Sequence, residues 1–506
     1  MKNLKKLFVS LFYTAAIIFA ASPELFARGT GEQKFVRMAL SGNPDTLDPH
    51  KTAGTLTFQV AKSLYDTLLE PDVQGNLVPA LAERWEFQDG DKTLIFYLRD
   101  GVKFHDGTGF TSRDVEKTLE RVMAKSTGSP HATEFSPIQK IETPDPGTVI
   151  LRLSAPSAPL LSTLASGWGA ILPAHLIEAG HDFGSHPVGT GPFALKEWIR
   201  DNKLVLVKNP SYWQPQKPKI GGIEFRIITE RSIQVQGLLS GQLDIVDMYD
   251  NIDVPLIEKN PSIRIEKNLT SLVMVLAMNT KRPPLTDIRV RQAINYAIDK
   301  QKVLDIAYGG GVPVGTFMDP SDPVYKDFTH LYPYNPEKAR QLLSEAGVGP
   351  ETVLEMPLPQ NFEPHVRAGQ MYQEMLQQVG LSSKIKLVDW STWISDVYRN
   401  ANFDLTVIGH TGKLDPDSRL AGYGTEQTYV RWVNPEAASL INQARTLPDP
   451  HKRKTLYQRV LEIMAREVPF VYTGTSYRYL GIRNTIQGFL MQPKLDTYDF
   501  RNVEVQ

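Results

Sequence analysis

Cysteine is missing from all 506 residues. Its absence excludes disulfide bridges, thiolate metal sites and cysteine nucleophiles, together with the thiol that carries the lipid of a bacterial lipoprotein. A chain of this length must hold together by core packing, and should divide into two or three domains of roughly 100–200 residues each. An excess of either charge is missing too, since 55 Lys and Arg stand against 56 Asp and Glu for a formal net charge of -1. Phosphate recognition needs a concentrated basic surface, so no nucleic-acid partner is expected. Past Ala21 no apolar run approaches the ~20 residues that a membrane-crossing helix needs. No Gly-x-Ser-x-Gly elbow, His-Glu-x-x-His pair or P-loop lysine motif occurs, so no catalytic residue is assigned and a secreted hydrolase is the least favoured class.

What is present begins with an export signal. Lys2, Lys5 and Lys6 precede the apolar residues 7–21, a run too short and too early to span a bilayer. Cleavage is expected after Ser22, with Ala20 at the −3 position, or after Ala27. An exported chain without a lipid-bearing cysteine is expected in the periplasm.

Residues 82–98 alternate in period two, with Trp85 and Phe87, a turn at Asp89-Gly90-Asp91, then Leu94, Phe96 and Leu98, as in an antiparallel meander. Thr111 and Asp114 mark a helix start whose buried face carries Val115, Leu119 and Val122. A further hairpin turns at Asp145-Pro146-Gly147. Strands are expected at residues 272–278 and around 470–473, and a helix at residues 57–69. Asn335, Pro336 and Gly347 punctuate a helix with Ala339, Leu342 and Leu343 inward. Helix and strand alternate through the second half, which indicates α/β layering.

Residues 403–417, FDLTVIGHTGKLDPD, read as a buried strand ending in a polar, glycine-punctuated turn. Ligands of open α/β sheets collect beyond the carboxyl ends of strands, so His410, Thr411, Lys413, Asp415 and Asp417 are expected around a pocket. An ordinary surface turn would have the same composition, and carboxylates flanking a proline are common turn formers.

Several stretches, in this order, carry a resemblance to a known family: Thr46-Leu47-Asp48-Pro49, FYLRDGVKFHDG from Phe96, PVGTGPF at residues 187–193, Asn209-Pro210 with Tyr212-Trp213, DIRVRQAINYAIDK from Asp287, and YNPEKARQLLSEAG from Tyr334. The chain resembles the solute-binding proteins of ABC importers for peptides and nickel over essentially its whole mature length. The resemblance implies an α/β fold of two lobes, the large class II form of periplasmic binding proteins, with an α+β subdomain inserted in the first lobe. Residues 1–22 would be the signal. Residues 28–54, 186–268 and 487–506 would form lobe I, residues 55–185 the subdomain and residues 269–486 lobe II. Hinges would fall near residues 267–272 and 483–488. The implied function is capture of a solute between closing lobes and delivery to an inner-membrane permease, by a monomer that needs no cofactor.

Oligopeptides or peptide-like solutes are the expected ligands, with an oligosaccharide, an opine-like carboxylate or chelated nickel as alternatives. Peptide binders of the family carry an acidic residue in the turn after the 403–408 strand, where this chain has Lys413; a cation there, with Arg419 and Arg431 nearby, suits an anion. Strand addition to a peptide main chain would use Ala53, Gly54 and Thr55 from one lobe and Gly409, His410 and Thr411 from the other. Trp390 matches an aromatic that packs on ligand in relatives, and Trp168, Tyr423 and Trp432 are further aromatic candidates. Asp417 stands where nickel carriers have a histidine, so no metal site is expected.

Overall fold

The computed structural model describes residues 34–411, 413–492 and 494–506; the expected export signal lies outside them. A nine-stranded sheet runs through the whole arrangement. Its order is Leu405–His410, Ile263–Met278, Phe470–Arg483, Ile245–Met248, Phe35–Leu40, Gly222–Ile227, Lys203–Lys208 and Phe193–Ile199, with Gly311–Val312 paired to Phe470–Arg483 off this path. The long strands Ile263–Met278 and Phe470–Arg483 are antiparallel partners shared by both lobes. Their register breaks between Leu269 and Val273, opposite Tyr477 and Thr475. There hydroxyls replace part of the ladder: Thr270 Oγ1 donates to Ser476 O at 3.0 Å, and Thr475 Oγ1 donates to Thr270 O. A bulge of this kind bends a strand pair. The break overlaps residues 267–272, and the residues opposite it, Thr475 and Tyr477, precede residues 483–488 in the chain.

Both strands are longer than expected. The 272–278 run begins at Ile263, and the 470–473 run continues to Arg483. Glu266, Lys267, Asn268 and Arg478 interrupt the apolar pattern that would have revealed the extensions, because they sit where the strands pass between cores. Beyond the break Val273, Val275 and Ala277 enter one core of the second lobe and Met274, Leu276 and Met278 the other. A strand covered on both faces reads as a continuous apolar run, and LVMVLAM does.

In the first lobe Val36, Met38 and Leu40 face a core shared with Leu480 and Ile482. The four-stranded meander has the order Ala82–Gln88, Thr93–Leu98, Thr148–Leu153, Ile138–Asp145. The helix Ser112–Met123 covers it with Val115, Leu119 and Val122 buried, and the Thr111 N–H donates to Asp114 Oδ2 at 2.8 Å as in a capping box. The helix expected at residues 57–69 runs Thr55–Leu64. Its end explains the PVGTGPF stretch. A Cβ on Gly189 would lie 2.3 Å from Leu64 O and one on Gly191 2.4 Å from Leu64 C, so only glycine lets the two segments touch. Between them Thr190 Oγ1 donates to the buried Asp66 at 3.0 Å, which also accepts from Trp213 Nε1 at 2.9 Å and Tyr212 OH at 3.3 Å. Two of the family-like motifs thus converge on one carboxyl, whose pKa burial pushes up.

Four histidines, His50 and His365 buried and His105 and His410 half-buried, are held as neutral rings. Burial lowers His50, His105 and His365 from 6.5 to about 4, and His410 to about 3. An unfolded chain binds more protons than the folded one below pH 6.5, so this stability is fully present above 6.5 and is lost as pH falls toward 4. Urea midpoints are expected to decline between about pH 7 and pH 5, in the range where histidine titrates. His365→Gln, which removes one such group, should decline less than the wild type; an equal decline would contradict this account.

Candidate functional site

Strand Leu405–His410 ends with Gly409 opposite Met274 and His410 opposite Val273. The chain then turns into the short helix Asp417–Leu420. The two turn carboxylates point into the second lobe. Asp415 accepts both Arg453 Nη1 and Nη2 at 2.8 Å, and Asp417 accepts Arg445 Nε at 3.0 Å and Tyr457 OH at 3.4 Å. Asp415 Oδ1 also takes the Asp417 N–H at 2.8 Å. They fasten the turn to the helices Pro435–Arg445 and Pro450–Glu467, so neither faces the pocket expected of them.

What the turn does face is a cavity of about 680 Å³. Of the sequence candidates, His410, Thr411, Lys413 and Tyr423 line it. Arg419, Arg445, Thr428 and Tyr429 line it as well; of these, Arg419 alone could be suspected from its neighbourhood to Lys413. No Asp or Glu occurs among the described residues of the wall. His410 Nε2 pairs with Tyr429 OH at 2.8 Å, and its ring packs on Phe317 with centroids 4.8 Å apart. Burial and the nearby Arg419 charge keep it neutral.

Arg419 is only 8% exposed, yet its guanidinium donates to main-chain carbonyls: Nη1 to Phe317 O at 2.9 Å, Nη2 to Ser271 O at 2.9 Å and to His410 O at 3.3 Å. Burial lowers its pKa. Lys413 reaches the other way, with Nζ 5.5 Å from the centre of the Trp168 ring, a cation–π distance. Leu414 beside it packs on the subdomain core. Trp168 is stacked on His131 at 4.0 Å and meets Phe58 at 5.7 Å. Two more contacts tie distant segments here: the Ala158 N–H donates to Arg445 O at 3.1 Å, and Lys494 Nζ pairs with Asp322 Oδ2 at 3.3 Å with both side chains 4% exposed.

The remaining sequence candidates lie apart from the cavity wall. Ala53 and Thr55 are exposed around Gly54, which is the N-cap of Thr55–Leu64. The Gly54 N–H is taken by Thr52 Oγ1 at 2.7 Å. Trp390, 40% exposed, stacks on Trp393 at 5.2 Å and meets Phe362 at 5.1 Å. Arg431 holds φ 52° and donates to the carbonyls of Glu426 and Arg399, which keeps it off the wall. Trp432 is core, its Nε1 donating to Glu467 at 2.6 Å. Among the described residues no three His, Asp or Glu gather as a metal ion would need, and no helix is long and apolar enough to cross a membrane.

Comparison with known proteins gives this geometry a setting. The family described as bacterial extracellular solute-binding proteins, family 5 Middle, matches residues 76–429. Di/tripeptide-binding protein 1 of Pseudomonas aeruginosa (strain UCBPP-PA14) is 29% identical over 514 residues, covering 94% of this chain and 94% of that one. A glutathione-binding protein of Escherichia coli (strain K12) is 27% identical, covering 94% and 95%. Among solved structures, PBP AgaA from A. tumefacien R10 in complex with agropinic acid superposes with a TM-score of 0.76 at 28% identity, covering 94% of this chain and 99% of that one. The substrate-binding protein CtaP of Listeria monocytogenes superposes with a TM-score of 0.85 at 21% identity over 93% of this chain and 99% of that one, a likeness of fold.

The Asp415–Arg453 pair has side chains 4% and 13% exposed. Removing one partner strands the other charge, so Asp415→Ala should destabilise the protein by about 3–5 kcal/mol in urea denaturation. Lost ligand binding at unchanged stability would instead assign this carboxylate to the ligand.

Proposed function

The chain belongs to the bacterial extracellular solute-binding proteins of family 5, and on that premise we propose that it captures a small peptide or peptide-like solute between its lobes in the periplasm and delivers it to an ABC permease. The observation that carries this reading is the cavity of about 680 Å³ at the carboxyl end of strand Leu405–His410, beside the Lys413–Trp168 contact. That volume suits a small ligand. The relatives named for di/tripeptides and glutathione support the peptide-like class. Binding and release need no covalent step: the solute favours the arrangement in which both lobes touch it, and the permease reads that arrangement. The protein is proposed to act as a monomer without cofactor.

The proposed lobe limits follow the strand break. Lobe I would comprise residues 34–54 and 186–269 with the tail from Tyr477, the subdomain residues 55–185, and lobe II residues 273–475. Gly409, His410, Thr411, Lys413 and Tyr423 are proposed as ligand contacts from lobe II. Trp168, with Ala53, Gly54 and Thr55, is proposed from the facing side.

A second reading is a non-peptide carboxylate. Lys413 in the turn and the agropinic acid complex of PBP AgaA both favour it.

Mass spectrometry of solutes released from natively purified protein should recover them intact, whereas turnover of an added ligand would overturn the receptor reading. Lys413→Ala should weaken binding of the recovered solute by more than about 1 kcal/mol in calorimetry, as loss of a charged hydrogen bond does. Unchanged affinity would remove Lys413 from the site.

A further inference from the structure

One side chain in the cavity wall has a bonding capacity that the protein leaves unused. Arg419 makes three hydrogen bonds, all to carbonyls, through Nη1 and Nη2. Its Nε is fully buried and has no partner among the described residues. A buried guanidinium ordinarily meets a carboxylate, because desolvating a cation is unfavourable unless charge and hydrogen bonds are both answered. The acids that could answer it are engaged elsewhere or act only through space. Asp417 is held by Arg445, Asp415 by Arg453 and Asp322 by Lys494, while Asp319 bonds Ser321.

The wall around Arg419 adds a further cation and no anion. Lys413 lines it, Arg445 lines it with its charge answered by Asp417, His410 is neutral, and the described lining residues include no acid. Thr428 Oγ1, also lining, is a second buried polar atom without a partner among the described residues. An ammonium group would find repulsion here and no acceptor of its charge. A carboxylate would find a desolvated cation whose hydrogen-bonding capacity is not fully used, with a second cation at the rim.

We propose that Arg419 is the anchor of an acid-recognising subsite, which takes a carboxylate of the solute while Lys413 adds charge from the rim. The proposal rests on the receptor reading above and narrows its ligand class to solutes that present an acid group to this cavity. It accounts for the cation in the turn: the end of the site at residues 409–413 would receive a ligand's acid rather than its amine.

The test uses the full mature chain and paired probes. Dipeptides are offered as free acids and as their carboxyl-terminal amides, and glutathione beside its diethyl ester, with thermal shift as the screen and calorimetry for those that bind. The expected result is that acids bind and their neutralised partners bind at least about 30-fold more weakly, as truncating one side of a buried charge pair does. Arg419→Gln should lose the acid by a similar factor, and Arg419→Lys, which keeps the charge without the Nε–H, should retain part of the affinity. Because Arg419 is buried, circular dichroism must first establish that each variant folds; the acid–amide comparison on the wild type needs no variant. Acids and amides bound equally, or basic members preferred, would overturn the subsite while leaving the receptor intact. No response to any probe would overturn the peptide-like reading itself, and the subsite with it.

Discussion

Everything in this molecule depends on two strands that belong to both lobes at once. Ile263–Met278 and Phe470–Arg483 pair along most of their length, with register shifts between Leu269 and Val273 and between Met274 and Val275, and at the first of these threonine hydroxyls take over from main-chain bonds. On one side the pair continues a sheet through Ile245–Met248 and Phe35–Leu40; on the other it carries Leu405–His410. A continuous ladder would resist bending, and two separate sheets would have no fixed relation. A shared pair whose ladder is interrupted locally joins the two cores through a short segment with fewer main-chain bonds, an arrangement that suits capture by closing lobes.

The same pair decides where the site lies. Leu405–His410 is an edge strand whose ladder partner among the described residues is Ile263–Met278, so its end emerges beside the break, and the turn that follows must be held from elsewhere. Arg445 and Arg453, on two helices distant in sequence, do this by gripping Asp417 and Asp415. That division of labour leaves the described residues of the cavity wall with cations and no acid. The acids neutralise the helices behind the turn, whereas Arg419 and Lys413 face inward and across.

Much of this was legible in the chain. Period-two alternation at residues 82–98, the Thr111 and Asn335 caps, and the turns at Gly90 and Gly147 correspond to observed elements because each is decided by residues within a few positions. The family resemblance carried the two-lobed fold, and residues 76–429 match the family. Less legible were the crossing strands, since Glu266, Lys267 and Arg478 look like loop residues until a partner strand covers them. The role of Asp66 was also hidden, for its partners Thr190, Tyr212 and Trp213 come from two distant motifs.

By itself, then, the amino-acid sequence determined the class of protein, the order of its elements, the absence of disulfides and the presence of a lysine in the turn after the 403–408 strand. These follow from composition, local periodicity and motif order, none of which needs long-range contacts. Only the tertiary structure decided which charges in residues 410–419 are available. Asp415, Asp417, Lys413 and Arg419 are near neighbours in the chain, and nothing local distinguishes them. Helices more than twenty residues downstream supply arginines to both aspartates, and main-chain carbonyls of Phe317 and Ser271 fold around Arg419. Ionic partners are chosen by proximity in space and by burial, and those are properties of the packed molecule.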